Sequence, residues 1–183
     1  MRIKIFDQSS GLCSSLFPMP GKRNKKSGLP DFFDEVECRL NPSRSNNSSL
    51  FVTEFHKINS FRSLAANPAV FMTASEIASF YLKNGSHLLD AQVQLELLRT
   101  SLHSFARAFE PKVVLIKLYF CFAKNEGLPV KESWRDSLSA NLSRFTNQAL
   151  SLPVDQAEIT AGQCNKILES LKNWMNAETE LQV

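Results

Sequence analysis

Ile58-Asn59-Ser60-Phe61-Arg62-Ser63-Leu64-Ala65-Ala66-Asn67-Pro68-Ala69-Val70-Phe71 is the stretch over which the hydrophobic period of this chain changes. Upstream, apolar and polar residues alternate, the pattern of strands with one face buried. Downstream, apolar residues return every three or four positions, the pattern of helices packed along one side. Asn67-Pro68 marks the switch, because Pro in the first turn of a helix gives up an N–H that has no intrahelical partner there.

Working back from this junction, Leu50-Phe51-Val52-Thr53-Glu54-Phe55-His56-Lys57-Ile58 and Phe32-Phe33-Asp34-Glu35-Val36-Glu37-Cys38-Arg39-Leu40 read as strands. Val36, Cys38 and Leu40 share one face of the second run. Near the N-terminus, Arg2-Ile3-Lys4-Ile5-Phe6 and Leu12-Cys13-Ser14-Ser15-Leu16-Phe17 flank Gln8-Ser9-Ser10-Gly11, the residue types of a tight turn. Pro18 to Pro30 and Asn41 to Ser49 are polar loops. Four strands are therefore expected before residue 62, and no helix.

Working forward, the spacing predicts a helix from Asn67-Pro68 to Asn84-Gly85 and a second capped by Ser86. A third opens at Pro111 and is apolar nearly all round, which places it centrally. A fourth is expected from about Glu132 to Ala149 and a fifth from about Asp155 to Met175, with Gly162 weakening the latter. Ala177 to Val183 reads as a frayed end. The fold class is α+β, with a β module at residues 1–62 and a helical domain at 63–183.

Composition narrows the function. At 183 residues, 43% hydrophobic and 21% charged, the chain can bury a core. No run reaches the roughly 18 apolar residues of a membrane span, so no membrane partner is expected. The N-terminus lacks an apolar secretory core. The four cysteines, Cys13, Cys38, Cys121 and Cys164, form no CxxC pair, which suits a reducing cytoplasm. The net charge of +3 is unevenly spread: residues 1–62 carry 10 basic and 6 acidic side chains (+4), residues 63–183 carry 11 and 12 (−1).

The densest charge is in Gly21-Lys22-Arg23-Asn24-Lys25-Lys26-Ser27-Gly28, held out of regular structure by Pro20, Gly28 and Pro30. A polyanion relieves the mutual repulsion of such cations and releases its own condensed counterions; a solvated loop is the plainer alternative. Gly21-Lys22 is not a P-loop, since Leu16 stands where its first Gly would be and Arg23 where its Ser or Thr would be. His56, His87 and His103 have no ligand partners at metal spacing, and no cofactor is expected. Exposed aromatics on a β module can stack bases; Phe17, Phe32, Phe33, Phe51 and Phe55 are the candidates, most of them expected to fill the core.

In order, Arg2 to Phe6, Gly11-Leu12, the basic Gly21–Ser27 loop, Phe32 to Glu37, Ser49 to Phe55 and Ile58 to Leu64 resemble the bacterial RecO family, through its OB-fold and the helical domain behind it. The likeness spans roughly residues 1–125. It implies an incomplete N-terminal OB-fold barrel, short of its first strand, followed by a helical bundle. It also implies a non-catalytic mediator of recombinational DNA repair that binds single- and double-stranded DNA, anneals strands and works with RecR and single-stranded-DNA-binding protein in recombinase loading. On that likeness Lys22, Arg23, Lys25 and Lys26 are phosphate contacts, with Arg44 and Lys57 on the same module. The zinc-binding cysteines of some relatives have no counterpart here, and no metal is expected. The alternative is a helical protein-interaction module with a vestigial β part, in which Lys112, Lys117 and Lys124 receive an acidic peptide.

Overall fold

The computed structural model describes residues 1–18, 29–42 and 50–183. It is a mixed α/β structure, a four-stranded open sheet joined to helices. The strands are β1 (Arg2–Asp7), β2 (Gly11–Leu16), β3 (Glu35–Pro42) and β4 (Leu50–Asn59). They lie in the order β1-β2-β4-β3. Two antiparallel pairs, β1 with β2 and β3 with β4, are joined by a short parallel pairing of Ser15 with Leu50 and Leu16 with Phe51.

Local chemistry explains the first hairpin. Asp7 Oδ1 accepts the Ser9 N–H at 2.7 Å and the Ser10 N–H at 3.1 Å, closing the turn. Gly11 follows at φ 68°, a conformation that a Cβ would disfavour. Between β3 and β4 the register slips at Glu35/Val36 and at Glu37/Arg39, and Glu54 sits at φ 53°. Such bulges bend and twist a strand pair. Burial, then Cys13 and Asp7, raise the Cys38 thiol of β3 above its ordinary value. Phe17 and Val52 are buried within the sheet, and Phe17 meets Phe55 edge to face at 5.0 Å.

Phe32 and Phe33 lie outside the strand that the alternation predicted. They form a turn, and β3 begins only at Glu35. The Asp31 and Asp34 carboxylates hold this turn by accepting backbone N–H groups, which takes precedence over the apolar pattern.

The helices are α1 (Pro68–Asn84), α2 (Ala91–Ser104), α3 (Pro111–Asn125), α4 (Ala140–Ser151) and α5 (Ala161–Glu178). The first and third agree with the sequence reading. Asn67 caps α1 by accepting from the Ala69 and Val70 N–H groups. The second starts later than Ser86, because Asp90 provides the cap to Val93 N–H at 3.0 Å. The fourth is broken: Val130–Trp134 is a π turn, Arg135–Ser137 a 3-10 turn, and α4 follows. The fifth starts at Ala161, where Thr160 and Gln163 satisfy each other's backbone in a capping box. Gly162 then falls in the first turn with open space around it, so it interrupts nothing.

α3 packs against α1, α2, α4 and α5. Its buried Val113, Val114, Leu115, Ile116, Leu118 and Phe122 belong to a continuous core with Ile77, Phe80, Ile167 and Leu171. Phe80 lies 4.7 Å from both Tyr119 and Phe122, ring centre to ring centre. The C-terminal tail is docked rather than frayed. Gln182 N–H donates to Asn84 Oδ1 at 2.9 Å, Asn84 Nδ2 donates to Gln182 O at 2.9 Å, and Leu181 and Val183 pack on the core.

Sheet and helices meet at a tight seam. Leu12 N–H donates to Gly85 O at 2.7 Å, and a Cβ on Gly11 would fall 2.4 Å from that oxygen. Phe6 rests edge-on against Tyr81 at 5.0 Å. Arg99 of α2 reaches Glu35 of β3, Nε to Oε1 at 2.8 Å.

Candidate nucleic-acid interface

Lys22, Arg23, Lys25, Lys26 and Arg44, the sequence-derived phosphate contacts, lie outside the described residues. Lys57 is described and is engaged within the chain: its Nζ lies 2.5 Å from Asp34 Oδ2. Asp34 is withdrawn from water, its side chain 1% exposed. The ion pair ties β4 to the turn that precedes β3, so the Lys57 charge is partly spent on this chain's own carboxylate.

That turn is held by its own carboxylates and by ion pairs from outside it. Asp31 N–H donates to Asp34 Oδ2 at 2.8 Å, and Phe32 N–H donates to Asp31 Oδ1 at 2.9 Å. Arg62, just beyond β4, donates from Nε to Asp31 Oδ2 at 2.9 Å. The Phe32 N–H and then the Arg62 guanidinium hold the Asp31 carboxyl below the usual carboxylate range. Behind the turn, Glu35 receives Arg99, which also pairs with Glu96. Two cations from outside the turn thus brace it, Lys57 on Asp34 and Arg62 on Asp31.

The five aromatic candidates separate clearly. Phe17 is buried and Phe33 and Phe55 are half-buried, so they pack. Phe51 is exposed on β4. Phe32 is 76% exposed at the crest of the braced turn. Arg62 was not singled out from the sequence, although Asp31-Phe32-Phe33-Asp34, with an Asp at each end, carried the signal of a side-chain-closed turn.

The lysines of the alternative reading do not converge. Lys112 and Lys124 occupy the first and last turns of α3, about 18 Å apart along its axis. Lys112 donates to Asn165 Oδ1 at 2.6 Å, and Lys117 to the Leu150 carbonyl at 3.0 Å. Burial lowers the Lys117 ammonium pKa. Among the described residues, no group of three or more His, Cys, Asp or Glu side chains is placed to hold a metal ion, and no helix is long and apolar enough to cross a membrane. No protein-family model, no curated protein and no solved structure matches the chain.

Proposed function

We propose that this chain is a RecO-like, non-catalytic DNA-binding mediator of recombinational repair, whose β region binds DNA strands and brings complementary strands together. The observation that carries this reading is the strand order. A five-stranded Greek-key OB barrel in the order 1-2-3-5-4, with strands 3 and 5 parallel, leaves β1-β2-β4-β3 and a parallel β2–β4 pair when its first strand is removed. The +4 balance of residues 1–62 supports the same reading. Phosphate contacts carry no base information, so binding is sequence-independent. Neutralising two backbones at once lowers the repulsion between complementary strands and favours annealing.

The test is to replace Lys22, Arg23, Lys25 and Lys26 together with Ala and titrate labelled single strands across a salt series. With about four phosphate contacts, the parent chain has a log–log salt slope near −3, at roughly −0.7 per contact, and the variant loses most of it. An unchanged affinity and slope would remove the basic loop from the site. A parent chain that ignores DNA altogether would leave the helical interaction module as the surviving reading.

A further inference from the structure

We propose that Phe32 is a stacking platform for an unpaired base of a single strand, with Arg62 beside it meeting the adjoining phosphate. The proposal rests on the DNA-binding reading above and assigns the described part of that site.

Three consecutive residues break the rules of a stable surface turn. Phe32 exposes 76% of its surface to water. Phe33 is held at φ 61°, a strained conformation for a bulky side chain. Asp34 is a carboxylate withdrawn from solvent, whose Oδ1 has no hydrogen-bond partner among the described residues. The exposure of Phe32 and the withdrawal of Asp34 are unfavourable for folding, whereas the strain at Phe33 accompanies the packing of its ring against the core. A turn of this kind persists because its surroundings over-determine it, and such places are characteristically functional. Here the surroundings are Arg62 on Asp31 and Lys57 on Asp34.

The result is an exposed apolar ring on a braced turn, with a guanidinium on the neighbouring Asp31. Arg62 is well exposed, 71% of its side chain, while its Nε holds the turn. Stacking on an aromatic face with a cation at the sugar–phosphate backbone is the way single strands are bound without sequence preference. At the turn Lys57, Arg62 and Arg99 offset Asp34, Asp31 and Glu35, and the positive excess of residues 1–62, carried in the sequence by Lys22, Arg23, Lys25 and Lys26, favours a polyanion over an apolar protein surface as the occupant. A paired base offers no free face, so duplex DNA gains nothing from Phe32.

Stacking and phosphate binding differ in salt dependence, which makes the test specific. Phe32→Ala in the full chain is expected to weaken binding of a labelled oligo-dT strand by roughly 5- to 150-fold at every salt concentration, with the salt slope unchanged. Duplex affinity and the thermal midpoint should stay at parent values, because the ring is exposed. Phe32→Trp is expected to retain affinity and to report stacking by fluorescence quenching on oligo-dT beyond any change in the parent chain, since Trp134 and Trp174 are buried and out of reach of a bound base. Phe109→Ala, at an equally exposed Phe of the helical region, is the control and should bind as the parent does. If the parent chain binds with a steep salt slope but Phe32→Ala binds equally well, or Phe32→Trp is not quenched, the stacking site is wrong and the DNA-binding reading stands. An equal loss in Phe109→Ala would also overturn it. If the parent chain does not bind oligo-dT, both fall together.

Discussion

Among the described residues, the sheet buries Phe17 and Val52 apart from the main core, whereas the helices close over a continuous core that runs from Phe61 to Met175. The two regions differ in where their energy is held. In the helical region α3 is apolar on nearly every side and neighbouring helices cover it, so stability comes from burial. In the β region the interior is thin, and order comes from polar devices: the Asp7 turn, the Asp31–Asp34 turn and the seam at Gly85. A thin core leaves side chains such as Phe32 free for something other than packing. On the reading proposed above, the helices are the anchor and the strands with their turns bear the DNA.

The sharpest way to break this comparison is to remove an aromatic ring from the helical core. Phe122→Ala is expected to destabilise by about 3–5 kcal/mol, the usual range for a buried Phe. Strands and helices should then melt together in circular dichroism, because β1 and β2 rest on α1. Two separate transitions would show that the sheet is independent of the core.

Next in size is the seam. Gly11→Ala places a Cβ 2.4 Å from Gly85 O at a positive φ, and neither backbone can yield cheaply. Overpacking together with left-handed strain is expected to cost about 2–4 kcal/mol. Hydrogen exchange should locate the loss at the Leu12 amide and along β1 and β2, with α3 and α5 still protected. Uniform loss of protection would mean that the regions cannot be separated even locally.

The smallest effect concerns the polar devices. Burial pushes the Asp7 carboxyl up, but the hydrogen bonds from Ser10 and Ser9 outweigh it and leave its pKa below the ordinary value. A carboxyl with a depressed folded pKa contributes stability that is present above its unfolded pKa of about 3.9. That contribution is lost as pH falls through the folded value. Asp7 is half-buried and its hydrogen bonds lie at the surface, so solvent screening keeps its contribution below about 1 kcal/mol. Between pH 5 and pH 2 the first hairpin is expected to lose exchange protection before the helices do. In Asp7→Asn that early step should disappear.

The strands and helices that were legible in the sequence were those whose pattern was strong and whose ends carried local caps. Alternation at Ile3 and Ile5, Pro68 after Asn67 and Pro111 after Glu110 each act within a few residues. The boundaries that shifted were set by competition between nearby caps: Asp90 over Ser86, and Thr160 with Gln163 over Asp155. The region after Pro129 broke into short turns because Trp134 and Trp174 seek partners across the fold, Ser170 and Ser133, and no periodicity records that demand. Asn84 was legible as a helix end, but its grip on Gln182, 98 residues away, was not.

Hydrophobic period and charge distribution are local or summed properties of the chain. They were enough to separate a β region from a helical one, to centre the third helix and to place the positive excess before residue 62. The path of the sheet, β2 beside β4 rather than β3, depends on which edges meet after the chain has folded back. So does the choice of one exposed ring among five Phe candidates. Phe17 and Phe32 are the same residue type, each close to a proline. Only the tertiary structure, which sets Phe55 against one and braces the turn beneath the other, makes one a packing residue and the other an exposed ring.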